Sequence, residues 1–316
     1  MHTLSRDAAG PVLAPRGSVV CIGAFDGVHR GHRYVIDHVC RRAAELNLPA
    51  AAISFEPVPR EFFARGDLVR LSSAREKIEQ LFAAGLDTLL LLRFNDALAA
   101  MSAEDFVAGV LVQRLNVREL FVGADFRFGH GRRGDMDLLQ RLGAHYGFRA
   151  TELPPLVQQD ARVSSSAIRS LLACSQFDAA AGRLGRRFGI SGKVVHGQQL
   201  GRQLGYPTAN IRLGRRLSPL QGIFAVRVHG AGLGDHPAVA SLGVRPTVAG
   251  REPLLEAHLF DFDGDLYGRR LEVEFVEKLR DEEKFPDLES MVRQIDRDAA
   301  QARHILGAAA TATAGA

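Results

Sequence analysis

His29 and His32 flank Arg30-Gly31 in the stretch VVCIGAFDGVHRGHRYVIDHV, residues 19–39. Imidazoles are hydrogen-bond donors, so a pair at a helix start can steady a phosphoryl group as it becomes five-coordinate, with no covalent step. The apolar run before them (Val19, Val20, Cys21, Ile22) reads as a buried strand. Gly23, Gly27 and Gly31 let the backbone turn and come close to a ligand, and Tyr34, Val35, Ile36 and Val39 recur at helical spacing. Strand, glycine loop and helix in that order present backbone amides at a helix N-terminus, a ready phosphate site. Alone, the histidine pair reads equally as two loop residues satisfied by their neighbours. Metal ligation is disfavoured, because no third ligand is signalled nearby.

Other stretches carry chemistry. GADFRFGHGRRGD, residues 123–135, is broken by glycines and aromatics and holds Asp125, Arg127, Arg132 and Arg133. Such a loop can wrap a ring with Phe126 or Phe128 and neutralise phosphates with arginine, or it can be a plain surface loop. VSSSAIRSLL, residues 163–172, opens a helix on which Ser164 or Ser165 serves as N-cap and Arg169 lies about one turn in. In GRQLGYPTANI, residues 201–211, Gly201 and Gly205 allow close backbone approach and Pro207 fixes the chain. Thr208 and Asn210 then share a face of an extended segment, and a hydroxyl with an amide oxygen suits Mg²⁺ beside phosphates. In LLEAHLFDFDGDLYG, residues 254–268, Glu256 and His258 point to one face, and Leu255, Ala257 and Leu259 to the other. A pocket-facing Glu256 can take the proton from a substrate hydroxyl. His258 reads as a hydrogen-bonding neighbour. Asp261, Asp263 and Asp265 read as a polar hairpin turn, since the rest of a calcium loop is missing.

The elements that must position these groups change character along the chain. Strands at Val19–Ile22, Ala50–Phe55, Thr88–Arg93, Glu119–Val122 and Arg149–Leu153 alternate with helices at Arg33–Leu46, Ala74–Ala83, Ala103–Leu115 and Met136–Tyr146. That alternation predicts a parallel sheet covered on both faces, with the ligand at the carboxyl ends of its strands. After Ser164 come helical stretches to Leu184. Short alternating strands follow at Ile190–His196, Gly222–His229, Pro237–Leu242, Leu254–Phe260 and Leu271–Val276, with a closing amphipathic helix at Leu288–Leu306. This rhythm predicts an antiparallel barrel or sandwich, with a boundary near residue 185.

The 316 residues, 46% apolar and 24% charged, are ample for two domains. A net charge of +4 suits a nucleotide-sized anion and is too weak to argue for nucleic acid. Arg183, Arg186 and Arg187, with Arg212, Arg215 and Arg216, read as solvated clusters. The three cysteines (Cys21, Cys40, Cys174) show neither disulfide nor metal spacing and fit a cytoplasmic chain. No apolar run reaches the ~18 residues of a membrane span. Residues 1–16 are expected to be an N-terminal extension without a secretion signal, and 307–316 a disordered tail.

In this order and spacing, GAFDGVHRGH, FEPVPREFF, GADFRFGHGRRGD and VSSSAIRSLL resemble the adenylyltransferase module of the prokaryotic bifunctional riboflavin kinase/FAD synthetase family. The family's loop usually reads Gly-Asn-Phe-Asp-Gly-Val-His-x-Gly-His. Here Ala24 replaces the asparagine, Val58 stands where the family has a histidine between two prolines, and Ser164-Ser165-Ser166 replaces Ser-Ser-Thr. GRQLGYPTANI, LLEAHLFDFDGDLYG, SLGVRPTV and KLRDEEKFPDLESMVRQIDRD resemble the family's riboflavin kinase module, and the matches together cover residues 17 to about 303.

The resemblance implies an α/β chain: a Rossmann-like nucleotidylyltransferase domain at 17–185, then a six-stranded antiparallel β-barrel with a terminal helix at 186–306. It implies phosphorylation of riboflavin to FMN and adenylylation of FMN to FAD, with ATP as co-substrate and Mg²⁺ as cofactor. His29, His32 and Arg169 would stabilise phosphate charge beside Gly23, Phe25, Asp26, Gly27 and Gly31. Ser164 and Ser165 would fix the ATP, and Asp125 and Phe126 would form the nucleotide and flavin mouth. In the kinase, Thr208 and Asn210 would hold Mg²⁺-ATP near Gly201, Gly205 and Pro207, and Glu256 would be the base. Two alternatives stay open: a kinase whose adenylyltransferase half is impaired at Ala24 and Val58, and a flavin-binding regulator without turnover. The retained Thr208, Asn210 and Glu256 argue against the regulator. Small-molecule partners are expected, without nucleic acid or membrane; weak self-association is left open.

Overall fold

The computed structural model describes residues 2–64, 69–158, 161–197, 201, 204–214, 217–247 and 250–313. Arg215 and Arg216 of the second basic cluster lie outside them. Contacts divide the chain into two compact units, Met1–Leu68 with Ser72–Ser165, and Val69–Leu71 with Ser166–Ala316.

The first unit holds β1 (Thr3–Ser5), β2 (Ser18–Ile22), α1 (Arg30–Leu46), β3 (Ala50–Glu56), α2 (Pro59–Phe63), α3 (Ala74–Ala83), β4 (Thr88–Arg93), α4 (Asp96–Ala100), α5 (Ala103–Asp105), β5 (Val117–Gly123), α6 (Met136–Tyr146) and β6 (Arg149–Leu153). A small hairpin follows, β7 (Val157–Gln158) with β8 (Ala161–Arg162). The main sheet is six-stranded, ordered β1-β4-β3-β2-β5-β6, and parallel throughout. Strands buried on both faces read as continuous apolar runs, as β2 and β4 do. Val20, Ile22, Leu90 and Leu92 pack on one side with Phe106, Val110 and Leu139. Val19, Cys21, Leu89 and Leu91 pack on the other with Ile36, Val39 and Leu81. Strand order reverses at β2, with β3 on one side and β5 on the other. In open parallel sheets this reversal opens a crevice at the carboxyl ends, where ligands sit.

Three expectations need correction here. Residues 1–16 are more than an extension, because β1 joins the sheet edge beside β4. The buried Arg114 guanidinium anchors that segment, donating to the Asp7 carbonyl at 3.2 Å, the Ser5 hydroxyl at 2.7 Å and the Pro11 carbonyl. The helix expected at Ala103–Leu115 is α-helical only over α5. It continues as π-helix over Phe106–Arg114, closing with the Leu115 amide on the Val110 carbonyl. The tail expected to be disordered from 307 is helical to Thr313, consistent with the high helix propensity of its alanines.

The second unit holds α7 (Ser165–Ala173) from Ser166 onward, α8 (Phe177–Leu184), β9 (Gly189–Val195), β10 (Ala209–Arg212), β11 (Gly222–Gly230), β12 (Leu233–Thr247), β13 (Gly250–Leu259), β14 (Arg270–Arg280) and α9 (Leu288–Thr313). Its strands close an antiparallel barrel in the order β10-β13-β12-β11-β14-β9. Inside lie Ile211, Ala238, Ala240, Leu242, Leu255, Ala257 and Leu259. Ile168 and Leu172 of α7 and Phe177, Ala180 and Leu184 of α8 join the same core. The contact boundary therefore falls before these helices. Outside, α9 lays Ala299, Ala302 and Leu306 on Ala225, Val239 and Phe260.

Candidate functional site

In the first unit the loop after β2 sits at the strand-order reversal. Phe25, Val28 and Gly27 take positive φ of 49°, 38° and 85°, a conformation costly without glycine that the surroundings must hold. Buried Asp26 accepts from the Ser72 amide at 3.1 Å, and the Gly27 amide donates to the Ser72 hydroxyl at 2.9 Å. Ser165, the first residue of α7, donates to the Asp26 carbonyl at 2.9 Å, and Ser164 directly precedes it. A side chain at Gly23 would meet the Phe25 ring at 3.0 Å. One at Gly31 would meet the His29 ring and the Val163 carbonyl at 3.2 Å, so both glycines serve close approach.

His29 is the N-cap of α1, its Nδ1 accepting from the His32 amide at 3.3 Å. A nitrogen that accepts carries no proton, so the neutral ring holds its hydrogen on Nε2, a position that can donate to an anion. The two rings stack 3.6 Å apart at 15°, and Phe25 meets the His32 ring edge-on at 5.2 Å. Burial, then the neighbouring His29, then Lys77 hold the His32 imidazole well below its usual range. His32 Nδ1 is buried without a hydrogen-bond partner. A neutral, stacked pair at a helix start can donate to developing phosphoryl charge.

The other first-half residues are less concentrated. Asp125 is exposed at φ 63° and pairs with Arg162 at 3.1 Å. Phe126 stacks on Phe128 at 5.6 Å against the core, so part of that ring is structural. Arg169 lies on the part of α7 that belongs to the second unit and donates to the Ser166 hydroxyl at 3.2 Å. Val58, buried, is the N-cap of α2 without a side-chain bond.

In the second unit the chemistry is on the barrel's outer wall. Alternation sends Leu255, Ala257 and Leu259 inward, so Glu256 and His258 face out. Register sets Glu256 directly between Asn210 of β10 and Ser241 of β12. A row of amide, carboxylate and hydroxyl results. A cavity of about 310 Å³ is lined by Tyr206, Thr208, Ser241, Glu256 and His258, with Arg280, Phe285, Met291, Ile295 and Asp298 from β14 onward. A second, of about 580 Å³, is lined by Pro207, Thr208, Asn210, Phe262, Asp263, Asp265 and Tyr267. Thr208 lines both. Gly201 also lines the first; its carbonyl accepts from the Tyr206 amide at 2.8 Å, and Gly205 turns the chain at φ 82°. His258 Nδ1 lies 2.8 Å from the Pro207 carbonyl, the hydrogen-bonding role expected of it. Asp265 accepts from the Tyr267 amide at 2.9 Å and Asp261 pairs with Arg303 at 2.6 Å, as a polar turn does.

Sequence reasoning did not find the wall that α9 supplies. Arg280 donates from Nε to both Asp298 oxygens at 3.0 Å and from Nη2 at 2.8 Å. The two lie 18 positions apart with no local pattern, so only the fold joins them. Tyr206 also bonds Asp296 of α9 through its hydroxyl. Asp298→Ala leaves the mostly buried Arg280 with only the Asp281 carbonyl and the Glu283 carboxylate. It is expected to lower unfolding stability by about 2 kcal/mol and to raise KM for the ligand of the first cavity, checked by urea unfolding and steady-state kinetics.

Thr208 and Asn210 suit a hard cation in donor type, and Asn210 is buried. Gly197 leaves room for its amide, since a side chain there would lie 2.5 Å from Asn210 Oδ1. Among the described residues no three His, Cys, Asp or Glu side chains gather to hold a metal, so a cation here would draw further oxygens from a bound phosphate.

The family model for FAD synthetase matches residues 13–167, and that for riboflavin kinase matches residues 184–306. A bifunctional riboflavin kinase/FMN adenylyltransferase of Escherichia coli strain K12 is 44% identical over 309 residues, 97% of this chain and 96% of that one. One of Pseudomonas fluorescens is 47% identical over 290 residues, 91% and 93% of the two chains. A crystal structure described as a macrolide-efflux protein of Streptococcus pneumoniae shares the fold, with a TM-score of 0.77 at 28% identity over 94% of this chain and 97% of that one. No helix among the described residues is long and apolar enough to cross a membrane.

Proposed function

Since the chain belongs to the bifunctional riboflavin kinase/FMN adenylyltransferase family, we propose how its residues divide the two reactions. The chain phosphorylates riboflavin with ATP to FMN and adenylylates FMN to FAD. The kinase belongs to the barrel unit, and the first cavity takes riboflavin with its 5′-hydroxyl toward Glu256. That carboxylate accepts the hydroxyl proton as the oxygen attacks the γ-phosphorus of ATP held in the second cavity. Thr208 lines both cavities, and this observation carries the kinase reading: donor and acceptor meet at the wall that Thr208, Asn210 and Glu256 share. Thr208 and Asn210 would hold Mg²⁺, which shields phosphate charge. Gly201, Gly205 and Pro207 shape the chain around the nucleotide.

For adenylyl transfer, the FMN phosphate attacks the α-phosphorus of a second ATP and pyrophosphate leaves. His29 and His32 donate to the phosphate oxygens as charge builds. Gly23, Phe25, Asp26, Gly27 and Gly31 form the loop under them, and Ser164 and Ser165 hold the triphosphate side. Asp125 and Phe126 border the mouth.

Incubating the purified chain with riboflavin, ATP and Mg²⁺ and separating the flavins tests the division. FMN that converts to FAD is expected. FMN alone would favour the reading in which Ala24 and Val58 impair the adenylyltransferase, and neither product from folded, flavin-binding protein would leave only a binding scaffold. Asn210→Ala is expected to raise KM for Mg²⁺-ATP in FMN formation about tenfold, with FAD formation from FMN unchanged. Titrations of ATP and Mg²⁺ against each activity check it.

A further inference from the structure

Lys77 is a lysine with a side chain fully withdrawn from solvent, on α3. Its helix start is pinned by a capping box in which Ser73 accepts from the Glu76 amide at 3.2 Å and the Glu76 carboxylate accepts from the Ser73 amide at 2.6 Å. A buried ammonium costs several kcal/mol unless its protons are satisfied. Lys77 Nζ donates to the Phe55 carbonyl at 2.7 Å and the Ala24 carbonyl at 3.4 Å, and pairs with Glu56 Oε2 at 3.2 Å. The Ser54 hydroxyl donates to the same Ala24 carbonyl at 3.2 Å. These acceptors belong to the histidine loop and the carboxyl end of β3, the two segments flanking the crevice.

We propose that Lys77 is a positioning residue for adenylyl transfer: it ties the Ala24 carbonyl to the end of β3, fixing Phe25 and, through the Phe25 ring, His32. The proposal rests on the reading of His29 and His32 as the phosphate donors. Phe25 follows Ala24, sits at positive φ and meets His32 edge-on, so losing the Lys77 bond leaves the Ala24 carbonyl on the Ser54 hydroxyl alone and loosens the ring that braces the stacked pair. Lys77 acts a second way. Among the described residues, the titratable and charged groups set around His32 are His29 from its own helix cap and Lys77 from α3. Glu56 of β3 is set against Lys77, and Asp26 of the loop is turned to Ser72. Two protonated rings stacked at 3.6 Å would repel, and the Lys77 charge opposes the first protonation.

The test uses the full chain. Lys77→Met is expected to lower kcat for FAD formation from FMN about 100-fold, as a slightly misplaced site does, with a smaller change in KM. Its acid limb should move to higher pH, because His32 protonates more easily without the cation. Lys77→Arg keeps the charge and should leave that limb in place. Glu56→Gln removes the counter-charge and should move it to lower pH. FMN formation, run on the other unit, and thermal melting report folding. If Lys77→Met does not fold, Lys77→Arg and Glu56→Gln carry the test through the direction of the limb. An unmoved acid limb in a folded Lys77→Met or Glu56→Gln overturns the proposal while His32→Ala still loses FAD formation. Full FAD formation by His32→Ala overturns the histidine reading beneath it, and the proposal with it.

Discussion

Glu256→Gln should lower FMN formation about a thousandfold, the middle of the range for losing a general base, while FAD formation from supplied FMN proceeds at the normal rate. The glutamine has the same shape, and its neighbours Leu255 and Ala257 keep the strand anchored in the barrel core. Asn210 and Ser241 remain opposite it to hold the amide. What is lost is a proton acceptor needed only as the riboflavin oxygen attacks, so kcat should fall with little change in KM. Separate assays from riboflavin and from FMN measure this. A parallel loss of both activities in a folded variant would sink the assignment of two separate sites.

Replacing His29 and His32 together should lower FAD formation by about 10⁴-fold, counting 10²–10³ for each lost donor and less than full additivity. FMN formation should survive. The choice of replacement matters. His29 also caps α1, so His29→Ala would remove the cap, worth about 1 kcal/mol, along with the donor. Asparagine is a favoured cap, and His29→Asn takes away Nε2 while keeping the helix start. His32 Nδ1 has no partner to strand, so His32→Ala is the cleaner deletion there. Assays in which FMN and ATP are supplied directly isolate the step. Near-normal FAD formation by the double variant would be incompatible with donation by these rings.

The parts of this molecule that were legible in its sequence are those governed by local rules. β4, α3, α6 and β6 have the bounds that periodicity predicts, because caps and glycines mark their ends: Ser73 and Asp135 at N-termini, Gly147 after α6. The strand, glycine loop and helix around His29 could be read because one short segment contains the whole device. Likewise the outward face of Glu256 follows from alternation alone. What could not be read depends on distant partners. β1 is three residues long and exists because Arg114 and the edge of β4 hold it. β10, only four residues long, is a strand through its pairing with β9 and β13. Lys77 shares the buried face of α3 with Leu81, and a lone lysine there was the available sign that something polar waited beneath. The Arg280–Asp298 pair left none. The small-residue tail misled because composition that suits a frayed end also suits a helix.

The row of Asn210, Glu256 and Ser241 has a consequence for how such a site can vary in evolution. Pairing across β10, β13 and β12 is one-to-one through this row, without a bulge. Strand geometry has a period of two, so one added or deleted residue within Leu254–Leu259 would turn Leu255 or Ala257 to the cavity and send the carboxylate into the apolar interior. Substitutions can tune this wall by degrees, but a single-residue insertion abolishes it outright. Length variation is then confined to connections such as the Gly230–Gly232 turn, and a lineage that keeps this chemistry must keep the residue count of these strands as strictly as the residues themselves.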